Sequence, residues 1–400
     1  MRDKVWSSPK FDDFYGYLYT VNNSKMDVEG FIDSTYGKRL TLALSNRFKI
    51  EDNLDEALIY YESIGLKREC HNFDDYYKRW SLLVPLKERK LYPLVIYLHG
   101  MGNSIEAEES MTGFPEIANR EGFILATPQN TNSDRVMKMI DEIKKLYPID
   151  STRIYLAGFS QGANQSHSIY LRNPGVFVAC ATSGNDIFSP YDPFNIEYTA
   201  KEFEDLKKYR VPLFQIVGEC EPFSYAPFNE YHENAPFKGK WGRPDTSLAV
   251  GKDPFKDPTR MTKTSKDASG KETISFIRNK EYAPKESENK DIWNLEKVNK
   301  RLELLNCKER DINTCLSYKD LKDNDIKKKI GIYGDTELIE YHYGYRHYTL
   351  GINDLNNKEV YRFILIQNSP HWPPLTFGML AYRFMKRFSR DLKTKELIIK

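Results

Sequence analysis

The stretch Arg153-Ile154-Tyr155-Leu156-Ala157-Gly158-Phe159-Ser160-Gln161-Gly162 decides the reading of this chain. A short apolar run leads directly into Gly-Phe-Ser-Gln-Gly, and helical sequence follows from about Gln161. That is the strand–turn–helix setting in which a Gly-x-Ser-x-Gly pentapeptide makes a sharp elbow and lifts its serine above a sheet. Both glycines are needed because a Cβ at either position would meet neighbouring backbone, and the serine itself is held in a strained conformation. The bland reading of the same residues is a plain β–α turn with a capping serine.

Working outward, similar apolar runs recur on both sides of the elbow. Trp80-Ser81-Leu82-Leu83-Val84-Pro85 and Pro93-Leu94-Val95-Ile96-Tyr97-Leu98 read as strands, and the second is nearly all apolar, as a strand covered on both faces should be. Glu121 to Pro128 reads as a third strand, followed by a helix with Val136, Ile140, Ile143 and Leu146 at spacings of three and four. Phe177 to Ala181 and Pro212 to Val217 continue the alternation. Strands alternating with helices predict an α/β architecture, a mostly parallel central sheet with helices on both faces. Residues 222–336 break the pattern with polar, lysine-rich sequence, and strand signals return where Tyr341, Tyr343 and Tyr345 alternate and where Tyr361 to Ile366 runs apolar. A helix around Met379 to Phe388 closes the chain. The expected organisation is an N-terminal extension over 1–70, a first core part over 71–221, an insertion over 222–336 and a second core part over 337–400. An insertion of that size exceeds ordinary loops and should have structure of its own.

Bulk properties exclude several classes. The 400 residues are 40% hydrophobic and 29% charged, ordinary for a folded globular chain. With 59 basic and 57 acidic residues the net charge is +2, so no nucleic-acid partner is expected. Mean hydropathy is −0.63, and the longest aliphatic stretches fall far short of the roughly 18 residues of a membrane span, so no membrane partner is expected either. Five cysteines without Cys-x-x-Cys spacing argue against a zinc site or a disulfide framework. No apolar leader follows Met1, so a reducing, cytoplasmic setting is the default expectation, or a secreted one if a leader has been removed.

A serine hydroxyl needs a base to become a nucleophile, and after an elbow of this kind the acid and then the histidine follow in chain order. Of seven histidines, His71 and His99 come too early and His167 sits on the elbow helix. His232 falls in the insertion, and His342 and His347 lie among alternating tyrosines. His371 follows a buried strand through a short turn and precedes a helix, which makes it the candidate base. The acid should lie in the loop after Val217, where Glu221 is the first candidate and Glu219 the second, with Asp186 or a residue of the insertion as further alternatives. Oxyanion donors are expected from the amides of Met101, in the glycine-flanked turn His99-Gly100-Met101-Gly102, and of Gln161 at a helix N-terminus. His99 is expected to brace that turn.

These residues resemble a known family. His99-Gly100 after a strand, the Gly158–Gly162 elbow, and Ser369-Pro370-His371 before a helix ending Phe388-Ser389-Arg390-Asp391 look like the α/β-hydrolase esterases, with most similarity to the polyhydroxybutyrate depolymerase and feruloyl-esterase-like branch. The resemblance covers about 75–220 and 340–391. It implies an α/β-hydrolase fold with an eight-stranded sheet, no cofactor and no metal, and cleavage of carboxylic esters, small or oligomeric, through an acyl-enzyme. A glutamate in place of the usual aspartate, and an insertion between acid and base, depart from that pattern. The elbow and the His99-Gly100-Met101-Gly102 turn are also similar to acyl-protein thioesterases. A serine peptidase and a catalytically silent binding protein are the alternative readings. The insertion should emerge at the active-site rim, where Phe223, Tyr225, Trp241 and Trp293, with Trp372 beside the base, would line an acyl site; the bland alternative is that those of the insertion form its own small core.

Overall fold

The computed structural model describes residues 61–400 apart from 73, 76, 101–104, 106–107, 110–111, 186–198, 219–259, 267–271, 279–294, 311–331, 343–344, 367–372 and 375. The apolar runs form strands β1 (Leu66–His71), β2 (Trp80–Pro85), β3 (Tyr92–Leu98), β4 (Ile124–Pro128), β5 (Ile149–Phe159), β6 (Ala179–Ser183) and β7 (Leu213–Gly218). The amphipathic segments between them form α1 (Pro115–Glu121), α2 (Ser133–Leu146), α3 (Gln161–Arg172) and α4 (Ala200–Lys208). The expected strand from Glu121 begins only at Ile124, because Gly122, with φ 73°, ends α1 in the left-handed conformation that glycine adopts without penalty. After the lysine-rich region come β8 (Arg260–Lys266), β9 (Glu272–Arg278), α5 (Leu295–Leu304), β10 (Thr336–His342), β11 (Tyr345–Asn353), β12 (Glu359–Ile366), α6 (Phe377–Met385), β13 (Phe388–Arg390) and β14 (Leu397–Ile399).

Among the described residues ten strands join in one sheet in the order β1-β2-β4-β3-β5-β6-β7-β12-β11-β10. From β4 to β12 the neighbours run parallel, while β2 is antiparallel to both β1 and β4. This is the strand order of an α/β hydrolase, the fold class the sequence predicts. The order reverses around β3 and β5, and a crevice outside their carboxyl ends is where open sheets of this kind place ligands. The helices cover both faces: β3 is buried along its whole length and β5 from Ile154 to Phe159. Tyr155, on β5, meets Tyr382 of α6 edge-on and donates its hydroxyl to the Phe388 carbonyl at 2.9 Å. Burial drives the Arg390 guanidinium down to about 10; it donates to the carbonyls of Phe177, Arg210 and Lys395 and so pins the C-terminal segment to the sheet.

Two departures from expectation concern the second half of the chain. The sheet has ten strands where the family resemblance implies eight, because β10 and β11 extend it beyond β12. The alternating Tyr341 and Tyr345 belong to different strands of this hairpin, in which His342 pairs with Tyr345. The lysine-rich region holds the two-stranded β8–β9 hairpin and also a helix that belongs to the main core. Val298 and Leu302 of α5 are buried in the same hydrophobic cluster as the sheet. Arg301 of α5, 2% exposed, donates from Nη1 to the Tyr170 hydroxyl at 2.8 Å, and its Nη2 lies 3.3 Å from His167 Nδ1, tying α5 to α3. No helix among the described residues is long and apolar enough to cross a membrane.

Candidate active site

Between the end of β5 and the start of α3 stands one residue, Ser160, with φ 53° and ψ −114°. A side chain with a Cβ adopts positive φ only where its surroundings enforce it. Here the Ser160 N–H donates to the Ser183 carbonyl at 2.9 Å, and the Ser160 carbonyl accepts from the Asn164 N–H at 3.2 Å. The flanking glycines supply the remaining constraint. A Cβ on Gly158 would stand 2.4 Å from the Gly162 carbonyl oxygen, and one on Gly162 only 2.0 Å from that of Leu98. The ends of β3 and β5 and the first turn of α3 therefore touch backbone to backbone, and the serine is driven up at the carboxyl edge of the sheet. Ser160 is half-buried and Gln161 exposed. Gln161 is the first residue of α3, where backbone N–H groups have no partner within the helix and the helix dipole is positive.

The turn after β3 is held from beneath. His99 is buried, with Nδ1 2.8 Å from the Gly100 carbonyl and Nε2 2.7 Å from the Gln129 carbonyl and 3.2 Å from Gln129 Nε2. With both ring nitrogens facing backbone, His99 is a brace, as expected. Gln129 is itself fixed by Arg79, which donates from Nη2 to its side-chain oxygen at 3.1 Å and accepts the Gln129 N–H at its own carbonyl. On the other side the buried Glu108 carboxylate accepts the Gly100 N–H at 2.9 Å. Its neighbour Glu109 is equally buried, ion-paired with Arg68 at 2.9 Å and accepting from the Ser81 hydroxyl. Glu108, Glu109, Gln129 and Arg79 escape a reading of the sequence because isolated buried polar residues carry no periodicity. The signal in the sequence is two adjacent glutamates, the first of them six residues beyond Gly102.

On the far side of the elbow, β6, β7 and β12 follow β5 in the sheet, and β12 runs parallel to β7 with Ile366 opposite Gly218. The carboxyl ends of β7 and β12, at Gly218 and Ile366, thus lie on the same sheet edge as Ser160. At about 4.8 Å per strand, β7 and β12 lie roughly 10 and 14 Å from β5 along it. Below them Tyr361 donates to Gln215 Oε1 at 2.8 Å, and Gln215 Nε2 donates to Thr182 Oγ1 at 3.2 Å, a buried polar tie across the three strands. Of the residues singled out in the sequence, Ser160 and Gln161 are brought together at the elbow. Met101, Asp186, Glu219, Glu221, Phe223, Tyr225, Trp241, Trp293, His371 and Trp372 lie outside the described residues. Among the described residues no group of three or more His, Cys, Asp or Glu could hold a metal ion.

No protein-family model matches the chain. It is 37% identical over 82 residues to a bifunctional acetylxylan esterase/xylanase of Neocallimastix patriciarum, a match covering 18% of this chain and 12% of that protein. It is 25% identical over 206 residues to poly(3-hydroxyalkanoate) depolymerase C of Paucimonas lemoignei, covering 41% and 49% respectively. The chain thus spans about half, or less, of the length of these curated relatives. Among solved structures, an acetyl xylan esterase from Aspergillus awamori aligns over 80% of this chain and 99% of its own, with 10% identity and a TM-score of 0.39.

Proposed function

We propose that this chain is a serine esterase that hydrolyses carboxylic esters through a Ser160–His371–Glu221 triad and an acyl-enzyme. The observation that carries the reading is the enforced positive φ of Ser160 at the β5–α3 elbow. The tight β3–β5–α3 crossing enforces that strain, and a strained serine held clear of the sheet is what a nucleophile at such an elbow requires. Further support comes from the segments at 219 and 367, whose strands end on the same edge in the order that an acid and a base require.

In the proposed reaction His371 takes the proton from Ser160 Oγ as the oxygen attacks the ester carbonyl carbon. The electron pair moves to the carbonyl oxygen, which the N–H groups of Met101 and Gln161 stabilise. That the Gly100 N–H already donates to Glu108 supports Met101, the next residue, as the proposed donor. The alcohol leaves with the proton from His371, and water then attacks the acyl-enzyme with His371 again as base. Glu221 orients the imidazole and stabilises its charged form. The substrate class proposed is acyl or feruloyl groups on carbohydrate, or hydroxyalkanoate esters; the similarity to an acetylxylan esterase and to a polyhydroxyalkanoate depolymerase supports the acyl and hydroxyalkanoate arms.

The decisive experiment pairs a fluorophosphonate probe with a panel of acetyl, feruloyl and hydroxyalkanoate esters. Wild-type protein should be labelled at Ser160 and should hydrolyse at least one ester. Ser160→Ala should do neither. Turnover by the alanine variant at the wild-type rate would remove the proposal.

A further inference from the structure

The serine at the elbow is held from both sides by one short stretch, Ser183-Gly184-Asn185, at the carboxyl end of β6. On one side the Ser183 carbonyl accepts the Ser160 N–H at 2.9 Å. On the other, the Ser160 carbonyl accepts the Asn164 N–H at 3.2 Å, and the Asn164 side-chain oxygen accepts from Asn185 Nδ2. These contacts close a ring that runs from Ser160 into α3, across to Asn185 and back along two peptides to Ser183. Gly184, with φ 68°, supplies the bend between Ser183 and Asn185, and its N–H donates to the Ile216 carbonyl of β7 at 3.1 Å.

Asn185 is only 3% exposed, although it lies outside any strand or helix. Burying an amide costs free energy unless its polar atoms find partners. Here the side chain reaches α3, and the Asn185 carbonyl lies 3.4 Å from both Thr182 Oγ1 and Gln215 Nε2. Gln215 in turn accepts from the Tyr361 hydroxyl at 2.8 Å. The elbow is thereby referenced to β6, β7 and β12 at once, and the last two are the strands after which the acid and the base are proposed. Docking of α3 does not depend on Asn185, because Gly162 already seats the helix against the end of β3. What the ring adds is control of Ser160 itself, whose N–H and carbonyl both belong to it.

We propose that Asn185 is a positioning residue for the nucleophile: through Asn164 it fixes the first turn of α3 and so the direction in which Ser160 Oγ points, an inference that rests on the esterase reading. Ser160 is held at positive φ against its own preference, so a first turn freed from Asn185 relaxes in the direction that relieves the strain and carries Oγ with it. A misplacement of about 1 Å at a reacting atom is enough to cost up to about 10²-fold in rate.

The test measures kcat and KM for a small p-nitrophenyl ester, and the rate of labelling by a fluorophosphonate, in the full chain carrying Asn185→Ala, Asn164→Ala or both. Each single variant should lower kcat by about tenfold or more with KM changed less than about threefold, and labelling should slow by a similar factor. The double variant should be within about twofold of the slower single one, because both changes remove the same contact. Asn164 is partly exposed on a helix, where alanine is well accommodated, so Asn164→Ala carries the test if Asn185→Ala does not fold. A kcat within about twofold of wild type in either folded variant, or losses that multiply in the double variant, would overturn the proposal. A lower melting temperature with kcat of the folded fraction intact would do the same, since it makes Asn185 a purely structural residue. Wild-type protein that neither hydrolyses any ester nor takes the probe removes the esterase reading and this inference with it, whereas an active wild type with unaffected variants removes the positioning role alone.

Discussion

Gly162 and the Leu98 carbonyl approach so closely that a Cβ on the glycine would lie 2.0 Å from the oxygen. The obstacle is backbone at the end of a buried central strand, which cannot swing aside as a flexible side chain would. Relief requires α3 to move bodily away from β3. Gly162→Ala is therefore expected to cost about 3 kcal/mol or more, in the overpacking range. Urea denaturation followed by circular dichroism measures it, and a loss under about 1 kcal/mol would mean that the crossing is looser than described.

At Ser160 the strain is local, and glycine relieves it. Holding a residue with a Cβ in this conformation costs on the order of 1–3 kcal/mol, while glycine's extra unfolded-state freedom costs about 0.5–1 kcal/mol. Ser160→Gly should consequently be more stable than Ser160→Ala by about 1 kcal/mol, the reverse of the usual glycine penalty, with both variants inactive on esters. Thermal melts of the two proteins side by side decide it.

How much of this could be seen in the sequence follows from the length scale of each interaction. The elbow was legible because strand, glycines, serine and helix lie within ten consecutive residues. The parallel strands were legible because strands buried on both faces are apolar throughout. The β10–β11 extension was not, since Tyr341 and Tyr345 keep a single two-residue rhythm across two strands. Arg301 was hidden for another reason: a lysine- and arginine-rich region reads as solvated surface, and only its partners Tyr170 and His167 on α3 reveal a buried cation. Glu108 likewise looks like any surface glutamate until Gly100 is placed against it.

That contact gives the third prediction. The Glu108 carboxylate fixes the first peptide of the turn after β3, from which one oxyanion donor is proposed. Loosening such a donor by about 1 Å costs on the order of 10²-fold in rate. Glu108→Ala should lower kcat on a small neutral ester by about that factor, with KM changed less than about threefold, because the donor acts mainly in the transition state. Glu108→Gln keeps an oxygen able to accept the Gly100 N–H and should stay within about fivefold of wild type. A purely structural role would instead lower the melting temperature of both variants and leave kcat of the folded fraction intact.

The last prediction concerns acid stability at the other end of β5. Burial alone pushes the Asp150 carboxyl up, but the Thr152 hydroxyl at 2.5 Å, the Arg153 Nε at 2.6 Å and the Thr152 N–H at 2.9 Å together outweigh it and hold the group below its ordinary value. A carboxylate whose folded pKa is depressed contributes stability that is present above its unfolded pKa of about 3.9 and is lost as pH falls through the folded value. Asp150→Asn removes the charge at every pH. It should therefore cost about 1–2 kcal/mol at pH 7, where the charge-assisted hydrogen bonds are intact, and progressively less below about pH 4. Urea midpoints for both proteins between pH 2.5 and 7 should converge at the acid end, and a constant offset across that range would show that Asp150 acts through its shape and not its charge.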